Sequence, residues 1–157
     1  MSRLRVDRRG VSVTVGYVLM LAVAMLLMGA LLAGASGLME SRSAQVAGDQ
    51  LTVVGDQVAA ALGSTDRLAQ VAREDAAATG TTPTVGRTVD LPRQVAGSGY
   101  RIAIDNGTIT LRRSNPDVEV TVSYAATRVP VERTNVSGGR LRITYDPTND
   151  RLEVTDD

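Results

Sequence analysis

Arg8-Arg9-Gly10-Val11-Ser12 forms a junction between a basic leader and the uncharged run VTVGYVLMLAVAMLLMGALLAGASGLM, which occupies residues 13–39. About 20 apolar residues are enough to span a hydrocarbon core of roughly 30 Å. As a helix rising ~1.5 Å per residue, residues 11–39 would reach about 43 Å. The sequence therefore predicts a transmembrane helix over residues 11–39, preceded by a leader over residues 1–10.

Charge is distributed unevenly around this run. The basic residues of the leader are Arg3, Arg5, Arg8 and Arg9. After the run, Arg42 is the only basic residue for a long way. Because the cytoplasmic flanks of membrane helices are enriched in Arg and Lys, the N-terminus is expected in the cytoplasm. The bulk of the chain, C-terminal to the helix, is then expected outside the cell.

Two other interpretations of the apolar run stay open at this point. A buried helix of a soluble protein is the first, although such a helix rarely lacks charge on every face. A cleaved secretory signal peptide is the second, although its apolar region is usually only about 7 to 15 residues long. Ala33-Gly34-Ala35 would offer that second interpretation a late cleavage site.

A resemblance to a known family adds a third interpretation, in which the cut precedes the apolar run. Arg9-Gly10-Val11-Ser12 and the following Val15-Gly16-Tyr17-Val18-Leu19-Met20 resemble the N-terminus of archaeal type IV pilins. The resemblance covers residues 8 to 35. It implies that a prepilin peptidase cuts between Gly10 and Val11. The implied processing site consists of Arg8, Arg9, Gly10, Val11 and Ser12.

The resemblance also implies a role for the whole chain. Val13 and Thr14 stand where the commonest archaeal version has Pro, and the variant is more similar to uncharacterised haloarchaeal pilin-like proteins than to major pilins. The implied role is that of a structural, minor subunit of an archaeal type IV pilus or a related surface assembly. Its partners would be prepilin peptidase, membrane lipid before assembly, and other pilin-like subunits. The alternative is a monomeric, signal-anchored surface protein whose β-domain binds a ligand or a surface.

Composition limits the chemistry that this chain can perform. It has no Cys and no His, so thiolate catalysis, disulfides and the commonest transition-metal ligands are excluded. Removal of residues 1–10 leaves 13 basic and 16 acidic residues, and a mildly acidic exterior disfavours nucleic-acid binding. No phosphate-binding loop and no nucleophile with its base are evident. The sequence therefore predicts no enzyme activity, no cofactor and no metal site.

After the membrane run the apolar residues follow a helical period. Leu51, Val54, Val58 and Leu62 form one stripe of an amphipathic helix over residues 40–76. We expect one long helix from about Val11 to about Ala76, in which Leu68, Val71 and Ala72 resume the stripe and Gly63 could introduce a kink or a new turn. The stripe is expected to pack on the distal domain, with a coiled-coil partner helix as the alternative.

Residues 77–86 are rich in small residues, Pro and Gly and are predicted to be a hinge. Beyond them the period becomes two, which is typical of strands. Asn106-Gly107 predicts a tight hairpin that pairs Ile104 with Ile109 and Ile102 with Leu111. A second hairpin, through Pro147-Thr148-Asn149-Asp150, is expected to pair Tyr145 with Leu152 and Ile143 with Val154.

Two further segments complete the predicted sheet. Val118, Val120, Val122 and Tyr124 alternate with polar residues and form one apolar strand face. Pro130 restricts residues 128–131 to an edge or an irregular strand. The predicted fold is α+β: a long N-terminal helix, transmembrane in its first half, packs by its second half on a small antiparallel β-sheet domain over residues 87–157. This is also the pilin-like architecture that the resemblance implies.

The sequence also contains two kinds of minor candidate site, for N-glycosylation and for Ca²⁺. Asn106-Gly-Thr and Asn135-Val-Ser fit the acceptor pattern for N-glycosylation. Asn106 also has a structural explanation as a turn residue, so Asn135 is the better candidate. Asp146 and Asp150 could offer oxygen ligands to Ca²⁺, but their loop lacks the spacing of a known calcium site.

Overall fold

The computed structural model describes residues 8–105, 107–125 and 127–157, without the side chains of residues 8–13 and 35–40. The chain divides into two compact units, Met1–Ser41 and Arg42–Asp157. Helix α1 spans Arg8–Thr79. It is followed by Gly80, whose φ of 71° and N–H bond to Ala76 O (2.8 Å) are typical of a glycine that stops a helix. The helix continues through Gly63, which confirms the expectation of one long helix, without a new turn at that position.

Seven strands follow the helix. They are β1 (Gly86–Asp90), β2 (Tyr100–Asp105), β3 (Thr108–Ser114), β4 (Asp117–Ser123), β5 (Thr134–Ser137), β6 (Arg140–Asp146) and β7 (Arg151–Asp156). They form two antiparallel sheets, with strand orders β1-β6-β7 and β4-β3-β2-β5. The predicted α+β class is confirmed. The single sheet that we expected is instead two sheets, because β1 and β5 pair with strands far from them in sequence.

Both predicted hairpin registers are confirmed. Ile102 pairs with Leu111 and Ile104 with Ile109, while Gly107 adopts a φ of 80° in the turn. Tyr145 pairs with Leu152 and Ile143 with Val154. In both hairpins the apolar pairs are buried on one face, so turn length and hydrophobic pattern specify the same register.

Helix α1 and the two sheets share the larger of two hydrophobic clusters in the unit Arg42–Asp157. The predicted helix stripe is confirmed: Leu51 and Leu62 are fully buried, and Val54 and Val58 nearly so. From the sheets, the core receives mainly Ile102, Ile104, Ile109, Leu111, Leu141, Ile143 and Val154. The apolar face of β4 is half-buried at the edge of its sheet. The helix thus covers the inner faces of both sheets.

The predicted continuation of the stripe is wrong beyond Gly63. Leu68 and Val71 are 52% and 65% exposed, whereas Thr65, Asp66 and Ala69 are buried. With 3.6 residues per turn, Thr65, Asp66 and Ala69 lie on the same side of the helix as Leu62, whereas Leu68 lies on another side. The face was missed because two of its members are polar.

The two buried polar residues on this face of the helix are satisfied by hydrogen bonds. Thr65 Oγ1 donates to the carbonyl of Ala61 (2.9 Å), inside the helix. Asp66 Oδ1 accepts the backbone N–H of Val129 (2.9 Å), and Oδ2 accepts from the side-chain amide of Gln70 (2.7 Å). Since buried polar groups are tolerated when they are bonded, Asp66 ties the helix to the connection between β4 and β5.

The segment around Pro130 is irregular, as predicted. Val131 makes a single parallel bridge to Leu152, and regular pairing resumes only at β5. Pro130 O and Glu132 N still bond to the two backbone polar groups of Leu152. Strands β1 and β5 lie outside the segments that alternation identified.

Candidate functional site

The apolar part of α1 is the first candidate site. Thr14–Gly34 has a mean hydropathy of 2.5, is long and apolar enough to cross a membrane, and has no buried residue. Its large side chains are exposed, from 44% at Leu21 to 76% at Met20. Gly16, Gly29 and Gly34 have open space where a Cβ would be. Small residues of this kind permit close approach of another helix.

The predicted processing site lies at the start of the same helix. α1 begins at Arg8, so Arg8, Arg9, Gly10, Val11 and Ser12 have helical backbone. Their side chains lie outside the described residues, as does the rest of the leader. The site therefore stays a prediction from the sequence.

The outer face of the four-stranded sheet is the second candidate site. It forms an open concavity of about 750 Å³, lined by residues from all four strands together with Arg93, Gly99 and Gly138. The pairing of the strands places side chains in rows across the sheet. One row is Ser137, Arg101, Arg112 and Glu119, and the next is Asn135, Ala103, Thr110 and Thr121.

Charges on this concave face are only partly paired. Arg112 Nε donates to Glu119 Oε2 (2.7 Å), and Arg133 Nη2 pairs with Asp105 Oδ2 (2.6 Å). Among the described residues, Arg93 and Arg101 form no ion pair. The face therefore carries two guanidinium groups available to an anion.

Tyr100 lies at the border of the concavity, with its ring in the hydrophobic core. Tyr100 is buried and donates its hydroxyl to Pro92 O (2.8 Å). Burial raises the pKa of this hydroxyl to about 12, because the ionised form loses its hydration. A Cβ added at Gly138 would lie 2.4 Å from the ring, so only glycine fits against Tyr100 there.

The two predicted glycosylation acceptors differ in what the structure shows. Asn135 is exposed on β5 and lines the concave face. Asn106 lies outside the described residues. The structure therefore places one of the two acceptor side chains where a modifying enzyme can reach it.

The two carboxylates in the turn between β6 and β7 are engaged by hydrogen bonds and an ion pair within the chain. Asp146 accepts from the backbone of Thr148 (2.8 Å) and from the Asn149 side chain (2.5 Å), and these bonds lower the pKa of Asp146. Asp150 accepts from the Tyr145 hydroxyl (2.8 Å) and pairs with Arg73 (3.3 Å). Within the described ranges, no group of three or more His, Cys, Asp or Glu is placed to hold a metal ion.

These features define an α+β protein with one N-terminal helix, within the described residues, that is suited by length and composition to a membrane. The chain belongs to a family of unknown function, DUF7266, whose family model matches residues 6–155. No curated protein and no solved structure matches the chain.

The concave face was not identified from the sequence. Its residues alternate with the apolar residues of β2 and β3, so each of them reads as an ordinary solvent-facing position. The signal that could have found it is the predicted register of the first hairpin, which sets Arg101 directly opposite Arg112. Like charges facing each other across a strand pair are unfavourable.

Proposed function

We propose that this protein is a structural, minor subunit of an archaeal type IV pilus or a related surface assembly. The observation that carries the proposal is the helix Thr14–Gly34, which is uncharged and has every side chain exposed. Such a surface needs an apolar environment. Membrane lipid supplies that environment before assembly, and the packed helices of neighbouring pilin-like subunits supply it afterwards.

The orientation of the protein follows from the charge of its leader. Four Arg residues before the apolar run favour a cytoplasmic N-terminus and an extracellular β-domain. Cleavage by prepilin peptidase between Gly10 and Val11 removes these charges. Because an Arg resists entry into hydrocarbon by a few kcal/mol, only the cleaved helix is free to leave the bilayer for an assembly.

A second apolar surface supports packing against another helix. Val46, Val53, Leu68 and Val71 are each 49% to 67% exposed. At 100° per residue they fall within one narrow strip of the helix, away from the face that packs on the sheets. Scattered exposed apolar residues are normal, but alignment along one strip favours a neighbouring helix as its cover.

The alternative function is a monomeric, signal-anchored surface protein. The concave polar face is the observation that favours it, since an open site with two unpaired Arg residues suits ligand binding. This alternative needs no cleavage at Gly10. The two functions therefore differ in processing and in partners.

The decisive experiment compares Gly10→Val with Gly16→Val in the native cell. We expect Val11 as the N-terminus of the wild-type protein and of Gly16→Val, because the glycine control lies beyond the junction. Gly10→Val should keep its leader, since the peptidase pocket implied by the pilin resemblance accepts only a small residue. Mass spectrometry of the purified proteins reads the N-terminus directly.

The same strains test assembly. We expect some wild-type protein in sheared, lipid-free surface fractions, crosslinked to other pilin-like chains, and Gly10→Val only in the membrane. Equal retention of both proteins in the membrane, without pilin-like crosslinks, would contradict the assembly role and leave the surface-anchored protein as the better account.

A further inference from the structure

We propose that the concave outer face of the four-stranded sheet binds an acidic glycan, a chain of sugars that carry carboxylates. Arg101 is the residue that pairs with a carboxylate, and the row through Ala103 receives the sugar hydroxyls. This inference goes beyond the assembly role, because it concerns the β-domain and does not depend on processing or on the apolar helix.

The first argument is an uncompensated charge in the middle of the sheet. Arg101 on β2 faces Arg112 on β3, at the separation of about 5 Å that directly opposed residues have. Glu119 neutralises Arg112 from β4. On its other side Arg101 faces Ser137 of β5, which has no charge to offer. A bound anion beside Arg101 would relieve the repulsion between the two guanidinium groups.

The second argument is the shape of the neighbouring row. Ala103 has the smallest side chain on this part of the sheet and lies between Asn135 and Thr110. Thr121 ends the row on β4. The result is a shallow trough that crosses the strands. Arg101 and Arg112 border it on one side, and the ion pair of Asp105 with Arg133 borders it on the other.

The third argument is the match between the trough and a sugar chain. Its side chains offer hydroxyls and an amide, each of which can both donate and accept hydrogen bonds. Strands lie about 4.8 Å apart, so Asn135 of β5, Thr110 of β3 and Thr121 of β4 present such groups along roughly 14 Å of the four-stranded sheet. A small inorganic anion would use Arg101 and leave this row unpaired. A glycan with carboxylates uses both the charge and the row.

The charge balance of the lining agrees with an anionic ligand. The concavity is lined by Arg93, Arg101 and Arg112 against Asp105 and Glu119. Both carboxylates are engaged by Arg residues, so the two free guanidinium groups dominate the local potential. Exposed charges are screened by salt, and binding is therefore expected to weaken as ionic strength rises.

The test uses the full chain in mild detergent and a hexamer of galacturonic acid as the probe. Isothermal titration at low salt measures its Kd for the wild type, Arg101→Gln, Ala103→Leu and Arg67→Gln. Arg67 is the matched control, an exposed Arg on helix α1 that does not line the concavity. A neutral glucose hexamer and inorganic sulfate are titrated in parallel.

We expect Arg101→Gln to weaken hexamer binding about tenfold or more, since a charge-assisted hydrogen bond is lost. Ala103→Leu should weaken it as well, because the larger side chain fills the trough. Arg67→Gln should bind as the wild type does, and the neutral hexamer should bind far more weakly. Near-ultraviolet circular dichroism confirms that each variant is folded.

Three results would overturn the proposal. They are no hexamer binding to the folded wild type, equal losses in Arg101→Gln and Arg67→Gln, or sulfate binding as tight as the hexamer. The last result would show a site for any anion rather than for a glycan. None of these results bears on cleavage at Gly10, so the proposed assembly role is tested separately.

Discussion

Helix α1 contains two apolar segments that differ in what covers them. In Thr14–Gly34 apolar residues occupy every side of the helix, and every side chain is exposed. In the segment that contains Leu51 and Leu62, the main apolar stripe occupies one side and is buried against the sheets of the same chain, whereas Val53 on another side is exposed. The comparison shows that one-sided apolarity is satisfied within the fold, whereas all-round apolarity requires lipid or other molecules.

The test with the largest expected effect replaces Leu62 and, separately, Leu68 of α1 by alanine. Leu62→Ala should lower the free energy of unfolding by about 2–5 kcal/mol, because a fully buried side chain leaves a cavity. Leu68→Ala should change it by less than about 0.5 kcal/mol, because Leu68 is half exposed. Urea titration in detergent, followed by near-ultraviolet circular dichroism, measures both. Equal losses would show that Leu68 packs on the domain.

The buried face of α1 can next be tested at its polar position. Asp66→Ala should destabilise the domain by about 1–3 kcal/mol, because the buried N–H of Val129 loses its acceptor. Asp56→Ala, on the exposed side of the same helix, is the control and should stay within about 0.5 kcal/mol. The same urea titration applies. An Asp66→Ala protein as stable as the control would mean that the link to Val129 contributes nothing.

The domain that covers this segment is also expected to lose stability at alkaline pH. Tyr100 is part of the core, and burial raises its pKa to about 12 from the ordinary 10.0. The neutral hydroxyl of Tyr100 makes its full contribution to the free energy of unfolding below pH 10. This contribution falls as the pH rises toward 12. Linkage gives a loss of about 1.4 kcal/mol by pH 11.

Tyr100→Phe isolates this effect. The variant lacks the hydrogen bond to Pro92 O, so it should be less stable at pH 8 by about 1 kcal/mol. Between pH 8 and pH 11 its disadvantage should shrink or vanish, since phenylalanine does not ionise. Parallel pH profiles for the two proteins would show that Tyr100 does not cause the alkaline loss.

The smallest expected effect distinguishes two glycines on α1. A Cβ at Gly55 would lie 2.6 Å from Val122 Cγ2 and 3.0 Å from Leu111 Cδ1, whereas Gly63 has nothing within 4 Å. Gly55→Ala should therefore destabilise the domain by about 1 kcal/mol through overpacking. Gly63→Ala should stabilise it by about 0.5–1 kcal/mol through helix propensity. Stabilisation by both would show that the helix does not approach β4 so closely.

The parts of the fold that local sequence determines could be predicted. Asn106-Gly107 and the alternating residues around it specify a hairpin and its register, because pairing and turn lie within a few residues of each other. The helix stripe at Leu51–Leu62 is equally local. The pairing of β1 with β6 could not be predicted in this way, since it joins distant segments and depends on how the core closes.

The candidate sites also differ in whether local sequence is enough to predict them. Thr14–Gly34 is evident from composition alone, because a membrane-suited helix needs only length and apolarity. The buried face at Thr65 and Asp66 was missed, because polarity usually marks exposure. The trough at Ala103 was missed as well, since it exists only when the strands align and place Ala103 between Asn135 and Thr110.

The bond between Asp66 and Val129 has a consequence for the order of events during folding. Helix turns form within about a microsecond, whereas contacts between distant segments form much later. Asp66 and Val129 are 63 residues apart in the chain. We therefore expect the bond between Asp66 and Val129 to form after the helix turns around Asp66.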